Sequence, residues 1–189
     1  MKIIKNQVFL KSIFIIFGIF FISFLSADSF LPKSKMDSSG NVVATWNSLD
    51  NFGNSIVQVA IRSPGSMGTW SSITTLSDDL TGDLTNSMPS IYTNDNEDYV
   101  IIWQYFNINT GQAFVAASML PQGTSVWNTN TVSDNSENAA FGDEYLALND
   151  SGDLVLMWTS YISGVPVVRQ SFSTIGTSTT WSSPITVSN

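Results

Sequence analysis

Three apolar strings along this chain end in tryptophan: Val42-Val43-Ala44-Thr45-Trp46, Tyr99-Val100-Ile101-Ile102-Trp103 and Leu154-Val155-Leu156-Met157-Trp158. Each is short, rich in β-branched and aromatic residues, and preceded by a polar turn, which predicts a β-strand. The turns are Asp37-Ser38-Ser39-Gly40-Asn41, Asn94-Asp95-Asn96-Glu97-Asp98 and Asn149-Asp150-Ser151-Gly152-Asp153. Successive side chains on a strand point to opposite faces, so an unbroken apolar string predicts burial on both. A second, mostly apolar string follows in each case, at residues 56–61, 112–117 and 165–168. A Ser/Thr-rich string then begins beside Trp70, Trp127 and Trp181. Short segments opening at Pro32, Pro89 and Glu144 lead into the three turns, so each unit has four strand-like pieces.

The spacing makes these units copies. The second tryptophan follows the first by 24, 24 and 23 residues, and the first recurs after 57 and then 55. Two landmarks kept in step through three units mark an internal repeat, spanning approximately residues 30–78, 87–134 and 142–189. The expected fold is all-β: three four-stranded antiparallel blades of a β-propeller-like repeat. The two apolar strands of each blade would lie between neighbouring sheets and the polar outer strand would face water. Propellers close with about 4–8 blades, so three form an incomplete propeller arc with two uncovered faces. A homodimer completing a six-bladed propeller is one solution, with Val43 and Ile56 of the first copy against the third copy of the partner. An N-terminal segment covering one face is another, and a fragment of a longer propeller is a third.

The turn, the apolar strand ending in tryptophan, and the closing Thr180-Trp181-Ser182-Ser183-Pro184-Ile185-Thr186-Val187-Ser188 resemble bacterial β-propeller repeats. They are distantly similar to the Asp-box (BNR-type) repeats of sialidase-like proteins. The resemblance implies the propeller fold over residues 30–189 but not the sialidase chemistry. An Asp-box has Asp five residues and Gly three residues before its Trp. Here those positions hold Gly65, Gln122 and Gly176, then Met67, Thr124 and Ser178. Sialidase-like catalysis uses three arginines, and this chain has only Arg62 and Arg169.

The first 27 residues change the charge picture. Lys2, Lys5 and Lys11 precede an apolar run from residue 13 to 25, which ends in Leu25-Ser26-Ala27. This pattern predicts a secretory signal peptide cleaved before Asp28 and a secreted, periplasmic or cell-surface location. A membrane role arises only if the segment is retained, and its run is short of the roughly 20 residues a spanning helix needs. Beyond it, four basic residues face fifteen acidic ones, a net charge of −11. Such a surface repels phosphate backbones, so no nucleic acid is expected as partner. The sequence has no cysteine and no histidine, which removes thiolate chemistry, disulfides and the usual neutral-pH base.

Trp46, Trp103 and Trp158 read as core. Trp70, Trp127 and Trp181, beside the outer strands, are the candidate ligand-binding residues, since indoles present broad apolar faces to sugars. The acidic turns offer oxygens to calcium, but Asn, Asp, Ser and Gly are also what tight turns require, and no metal or cofactor is expected. A Ser–Lys pair could draw only on Lys33 or Lys35. The adjacent Asp143 and Glu144 point to opposite faces of a strand and are poorly suited to act together. No catalytic residue is assigned and the chain is not expected to be an enzyme. The expected function is an exported non-catalytic interaction module binding a protein or glycan. The alternatives are a carbohydrate-active, sialidase-like enzyme remnant or subunit, and a truncated repeat protein without independent function.

Overall fold

A computed structural model describes residues 29–65, 69–77, 84–86, 89–140, 144–176 and 180–188. The expected signal segment and Asp28 lie outside them. The described residues form fourteen strands, all paired antiparallel, in three open sheets. The first sheet orders β1 (Ser29–Met36), β2 (Val42–Leu49), β3 (Ser55–Arg62) and β4 (Thr74–Thr75). The second contains β5 (Leu84–Asn86), β6 (Ser90–Thr93), β7 (Tyr99–Asn107), β8 (Gln112–Leu120) and β9 (Asn128–Thr131). The third contains β10 (Asn138–Ala139), β11 (Tyr145–Leu148), β12 (Asp153–Ile162), β13 (Val165–Thr174) and β14 (Ile185–Thr186).

Two sheets therefore have five strands rather than the expected four. The reason is a break in the first edge. In β1 the register shifts between Phe30 and Lys33, around Leu31 at φ 56° and Pro32. In the other sheets the break divides the edge, so β5 and β6 both pair with β7, and β10 and β11 both pair with β12. Pro32 and Pro89 lack the N–H that a ladder needs, which suits them to such breaks. Counted from the strand-ending tryptophan, the pairings coincide. Ser29 meets Ser48, Asn86 meets Tyr105 and Ala139 meets Ser160. Lys33 meets Thr45, Ser90 meets Ile102 and Tyr145 meets Met157.

One clamp shapes the turns. Asn41 donates its backbone N–H and its side-chain amide to the two carboxylate oxygens of Asp37, both at 2.8 Å. Asp50 and Asn54 repeat this at the tip of the next hairpin. Asn94 with Asp98, and Asn149 with Asp153, make the same reciprocal bridge with acid and amide exchanged. The fourth residue of each loop must enter the left-handed region: Gly40, Gly53 and Gly152 do so freely, and Glu97 does so at φ 64°. The turns also join one sheet to the next. Tyr99 donates its phenol to Asp37, Asn94 its amide to the Asn149 carbonyl at 3.0 Å, and Asp95 its N–H to Asp150 at 3.1 Å. The three turns thus line one end of the stack, and the β2–β3, β7–β8 and β12–β13 hairpin tips lie at the other.

The serines of the outer strings close the sheets. Ser77, Ser133 and Ser188 accept the backbone N–H of Val57, Val115 and Val168 at 3.0, 3.0 and 2.8 Å. Ser71 and Ser182, directly after their tryptophans, accept the N–H of Ile61 and Phe172 at 3.0 Å. These short outer strands are held by side-chain oxygens where the ladder runs out.

The sheets stack face to face with the second in the middle. One apolar cluster joins Val43, Val57 and Val59 to Ile101, Trp103 and Phe114. The other joins Val100, Ile102 and Val115 to Leu154, Leu156 and Trp158. The expectation of burial on both faces holds for β7, whose first seven residues are all buried. It fails for β2 and β12, which alternate buried with half-buried positions because, among the described residues, the first and third sheets have a neighbour on one side only. Trp103 and Trp158 are enclosed, whereas Trp46 is half-buried on the open side of the first sheet.

Candidate functional site

The outer tryptophans are not brought together. Trp127 and Trp181 are half-buried and pack on the clusters that join their sheets to the preceding one. Trp70 bridges to Arg62, whose guanidinium lies 5.9 Å from the indole centroid. It is 48% exposed, because among the described residues no other sheet covers that face of the first. Exposure of Trp70 thus follows from its place at the end of the stack. Beside Trp181 lies an open cleft of about 580 Å³, bordered by Asp153, Phe172, Thr174 and Thr180.

The acidic turns use their oxygens on the protein itself. Asp37 and Asp98 accept side-chain amide and backbone N–H bonds from their own turns or a neighbouring loop, and Asp153 accepts the Asn149 amide and the Thr174 hydroxyl. Among the described residues no group of three or more His, Cys, Asp or Glu is placed to hold a metal ion. Burial opposes ionisation of Asp37, but the hydrogen bonds from Tyr99, Asn41 and Ser39 together outweigh it and hold its carboxyl below the ordinary value. Burial first, and then the bond to Asp37, push the Tyr99 phenol up.

Lys33 does meet a serine: its ammonium donates to Ser90 Oγ at 3.0 Å. Lys35 lies 5.9 Å from the centre of the Tyr92 ring. Asp143 lies outside the described residues, so its pairing with Glu144 has no geometry. A buried ion pair escaped the sequence reading. Glu137, 2% exposed, accepts the Asp134 N–H at 2.9 Å and pairs with Arg169 Nε at 2.9 Å. Arg169 also donates to Thr186 Oγ1 at 2.7 Å and to the Pro184 carbonyl at 3.1 Å. These contacts tie the loop before β10 to β13 and β14, which is structural work.

Exposed apolar residues at the hairpin tips were also missed. The hairpin tips carry Phe52, Ile108 and Val165, which are 90%, 56% and 59% exposed. Turn positions favour Gly, Asn, Asp and Ser, and each tip has them: Gly53, Gly111 and the Ser163–Gly164 pair all have positive φ. The apolar residue beside them serves no turn. The three tips share one end of the stack, so all three side chains are exposed at that end. The only sequence signal is an apolar residue inside a turn motif, at Phe52 between Asp50 and Gly53, and beside one at Ile108 and Val165.

No protein-family model matches the chain, and no curated protein matches it.

Proposed function

We propose that this chain is an exported, non-catalytic, β-propeller-like interaction module that binds a protein through its hairpin-tip end. The three copies act as blades of an incomplete arc, a reading supported by the common register of the sheets and their face-to-face stacking. The observation that carries the binding assignment is the exposure of Phe52, Ile108 and Val165 on hairpin tips at one end of the stack. Apolar side chains presented together by rigid hairpins desolvate readily against a partner, and such patches mark interaction sites. The Trp181 cleft favours a second reading, a glycan site, since an indole and a phenyl ring flank hydroxyl and carboxylate groups there.

The experiment compares the exported chain with a Phe52→Ser/Ile108→Ser/Val165→Ser variant for binding to the surface proteins of producing cells and to a glycan array. The module reading expects protein binding that the triple variant loses while its urea midpoint stays unchanged. Glycan binding lost on Trp181→Ala moves the ligand class to sugars. Hydrolysis of reporter glycosides overturns the non-catalytic assignment.

A further inference from the structure

Among the described residues, no sheet covers the two outermost faces of the stack. Each internal junction sets the tryptophan-bearing face of one sheet on the opposite face of the sheet before it. Trp103 packs with Val43, Val57 and Val59, and Trp158 packs with Val100, Ile102 and Val115. By the same register, the first sheet presents an uncovered tryptophan-bearing face with Val42, Ala44, Trp46, Ile56 and Gln58. The third sheet presents an uncovered face of the other kind, with Val155, Met157, Thr159, Val168 and Phe172. These residues are half-buried or, for Phe172, 43% exposed. Val43, expected at an outer junction, is instead fully covered by the middle sheet, while Ile56 lies on the open face.

We infer that the open face of the first sheet docks on the open face of the third sheet of a second copy, so that two chains close head to tail into a ring of six sheets. The occupant is a second copy because the two faces are the complementary halves of a junction this chain already forms twice. Continuing that junction requires no new kind of contact. Charge agrees. Among the described residues the first sheet's open face carries Arg62 and no carboxylate, and Arg62 Nε is buried without a hydrogen-bond partner. The third sheet's turn carries Asp150 and Asp153 at the matching end. Inside the stack, turn meets turn at that level, as Asn94 and Asp95 meet Asn149 and Asp150. The partner's Ser38, Ser39 and Arg62 would meet this third turn in the ring. Six sheets fall within the range of about 4–8 in which such rings close, and a heterologous junction that closes gives a finite assembly. The docking extends the interaction-module reading to a second surface and rests on its stacked-blade architecture, but it does not use the hairpin tips.

The chain contains no cysteine, so thiol cross-linking reports the junction cleanly. The exported chain is made as an Ala44→Cys variant and, separately, as a Met157→Cys variant, and each is treated with a short bis-maleimide alone and after mixing. Head-to-tail docking expects covalent pairs in the mixture and none with either variant alone. Sedimentation equilibrium of the unmodified chain expects a mass of two at tens of micromolar, and Arg62→Glu raises the dissociation constant at least tenfold. Cross-linking of Ala44→Cys with itself overturns the head-to-tail arrangement in favour of a face-to-face pair. A ladder of masses overturns ring closure, and a monomer without cross-links overturns the docking altogether. In that last case, tip-dependent protein binding that persists leaves the module reading standing, which separates the two failures.

Discussion

The middle sheet and the two sheets beside it are built from the same strand plan but occupy different surroundings. β7 is buried at Tyr99, Val100, Ile101, Ile102, Trp103, Gln104 and Tyr105 in succession. The aligned stretch of β2 buries Val43, Thr45 and Asn47 and leaves Val42, Ala44 and Trp46 half-buried; β12 alternates in the same way. The difference lies in side-chain size and in what each face can reach. The middle strand fills both faces with large residues, and Tyr105 stacks on Phe114 with ring centroids 5.1 Å apart. The first strand places small Ala44 and Ser48 on its open face, and its indole N–H bonds to Gln58 at 3.0 Å. An indole with a polar partner tolerates partial wetting, while close packing of large apolar groups does not. The ends of the stack are thus chemically prepared to stand open or to accept a neighbour, and the centre is not.

The largest test of that contrast is to truncate the equivalent tryptophans. Trp103→Ala removes a side chain that is 0% exposed and should cost about 3–5 kcal/mol. Trp46→Ala should cost less than about 2 kcal/mol when measured in urea at concentrations where the chain is monomeric. Equal losses at the two sites would erase the distinction between centre and end.

Glu137→Gln comes next. It leaves Arg169 beside a neutral amide inside the third sheet, and removing one member of a buried pair costs about 3–5 kcal/mol. Water reaches the Arg169 side chain, which is 13% exposed, so the loss belongs at the lower end, about 3 kcal/mol. Calorimetry of the variant checks this, and a loss below about 0.5 kcal/mol would make the pair equivalent to a surface one.

The strand content of the chain was legible because the requirements are local. The strings at Val42, Tyr99 and Leu154 have β composition, and the Asn/Asp/Gly turns specify hairpins. The closing serines are part of a recurring motif, and the structure shows why the motif recurs: Ser77, Ser133 and Ser188 each terminate a strand pair. What stayed hidden is non-local. Whether a strand has a neighbour on one face or two depends on how many sheets stack, which explains why Val155 and Val100 look alike in sequence and differ in burial. Glu137 and Arg169 are 32 residues apart, with no spacing rule to connect them. The edge strands β5 and β10 are three and two residues long, too short for a periodic signal. The binding candidates divided in the same manner. The outer tryptophans were conspicuous as landmarks, yet two of them pack on the core, while Phe52 was inconspicuous and stands in solvent.

The junction between the first and middle sheets should also depend on acid. Asp37 has its folded-state carboxyl held below the ordinary value and accepts the Tyr99 phenol across that junction. A depressed folded value means that the stabilisation is present above the unfolded carboxylate range, about pH 4, and is lost as pH falls through the folded value. The raised Tyr99 value acts at the other end: its contribution is present below the ordinary phenol range, about pH 10, and fades as pH rises beyond it. Asp37→Asn should fold, because Asn94 and Asn149 already serve as the clamp in the other turns. Its urea midpoint should show a shallower decline below pH 4 than that of the unmodified chain. An unchanged acid limb would assign the decline to other carboxylates.

The smallest effect concerns the turns themselves, and here the sheets compare residue for residue. Gly152 at φ +82° sits where an added Cβ would lie 3.2 Å from the Ile175 carbonyl oxygen. Gly152→Ala therefore combines left-handed strain of about 1–2 kcal/mol with a backbone contact that must yield. Glu97 occupies the same loop position in the middle sheet and already bears that strain at φ 64°. Glu97→Gly relieves about 1–2 kcal/mol. Against this stand the greater unfolded-chain entropy of glycine, about 0.5–1 kcal/mol, and the bond from Ser39 to the Glu97 carboxylate. That bond is exposed and belongs near the lower end of about 0.5–1.5 kcal/mol. The terms nearly cancel, so Glu97→Gly should shift stability by less than about 0.5 kcal/mol, while Gly152→Ala should lose more than about 1 kcal/mol. Paired urea titrations decide it. If Glu97→Gly lost as much as Gly152→Ala, the middle turn would owe its shape to the carboxylate that reaches the first sheet rather than to its own clamp.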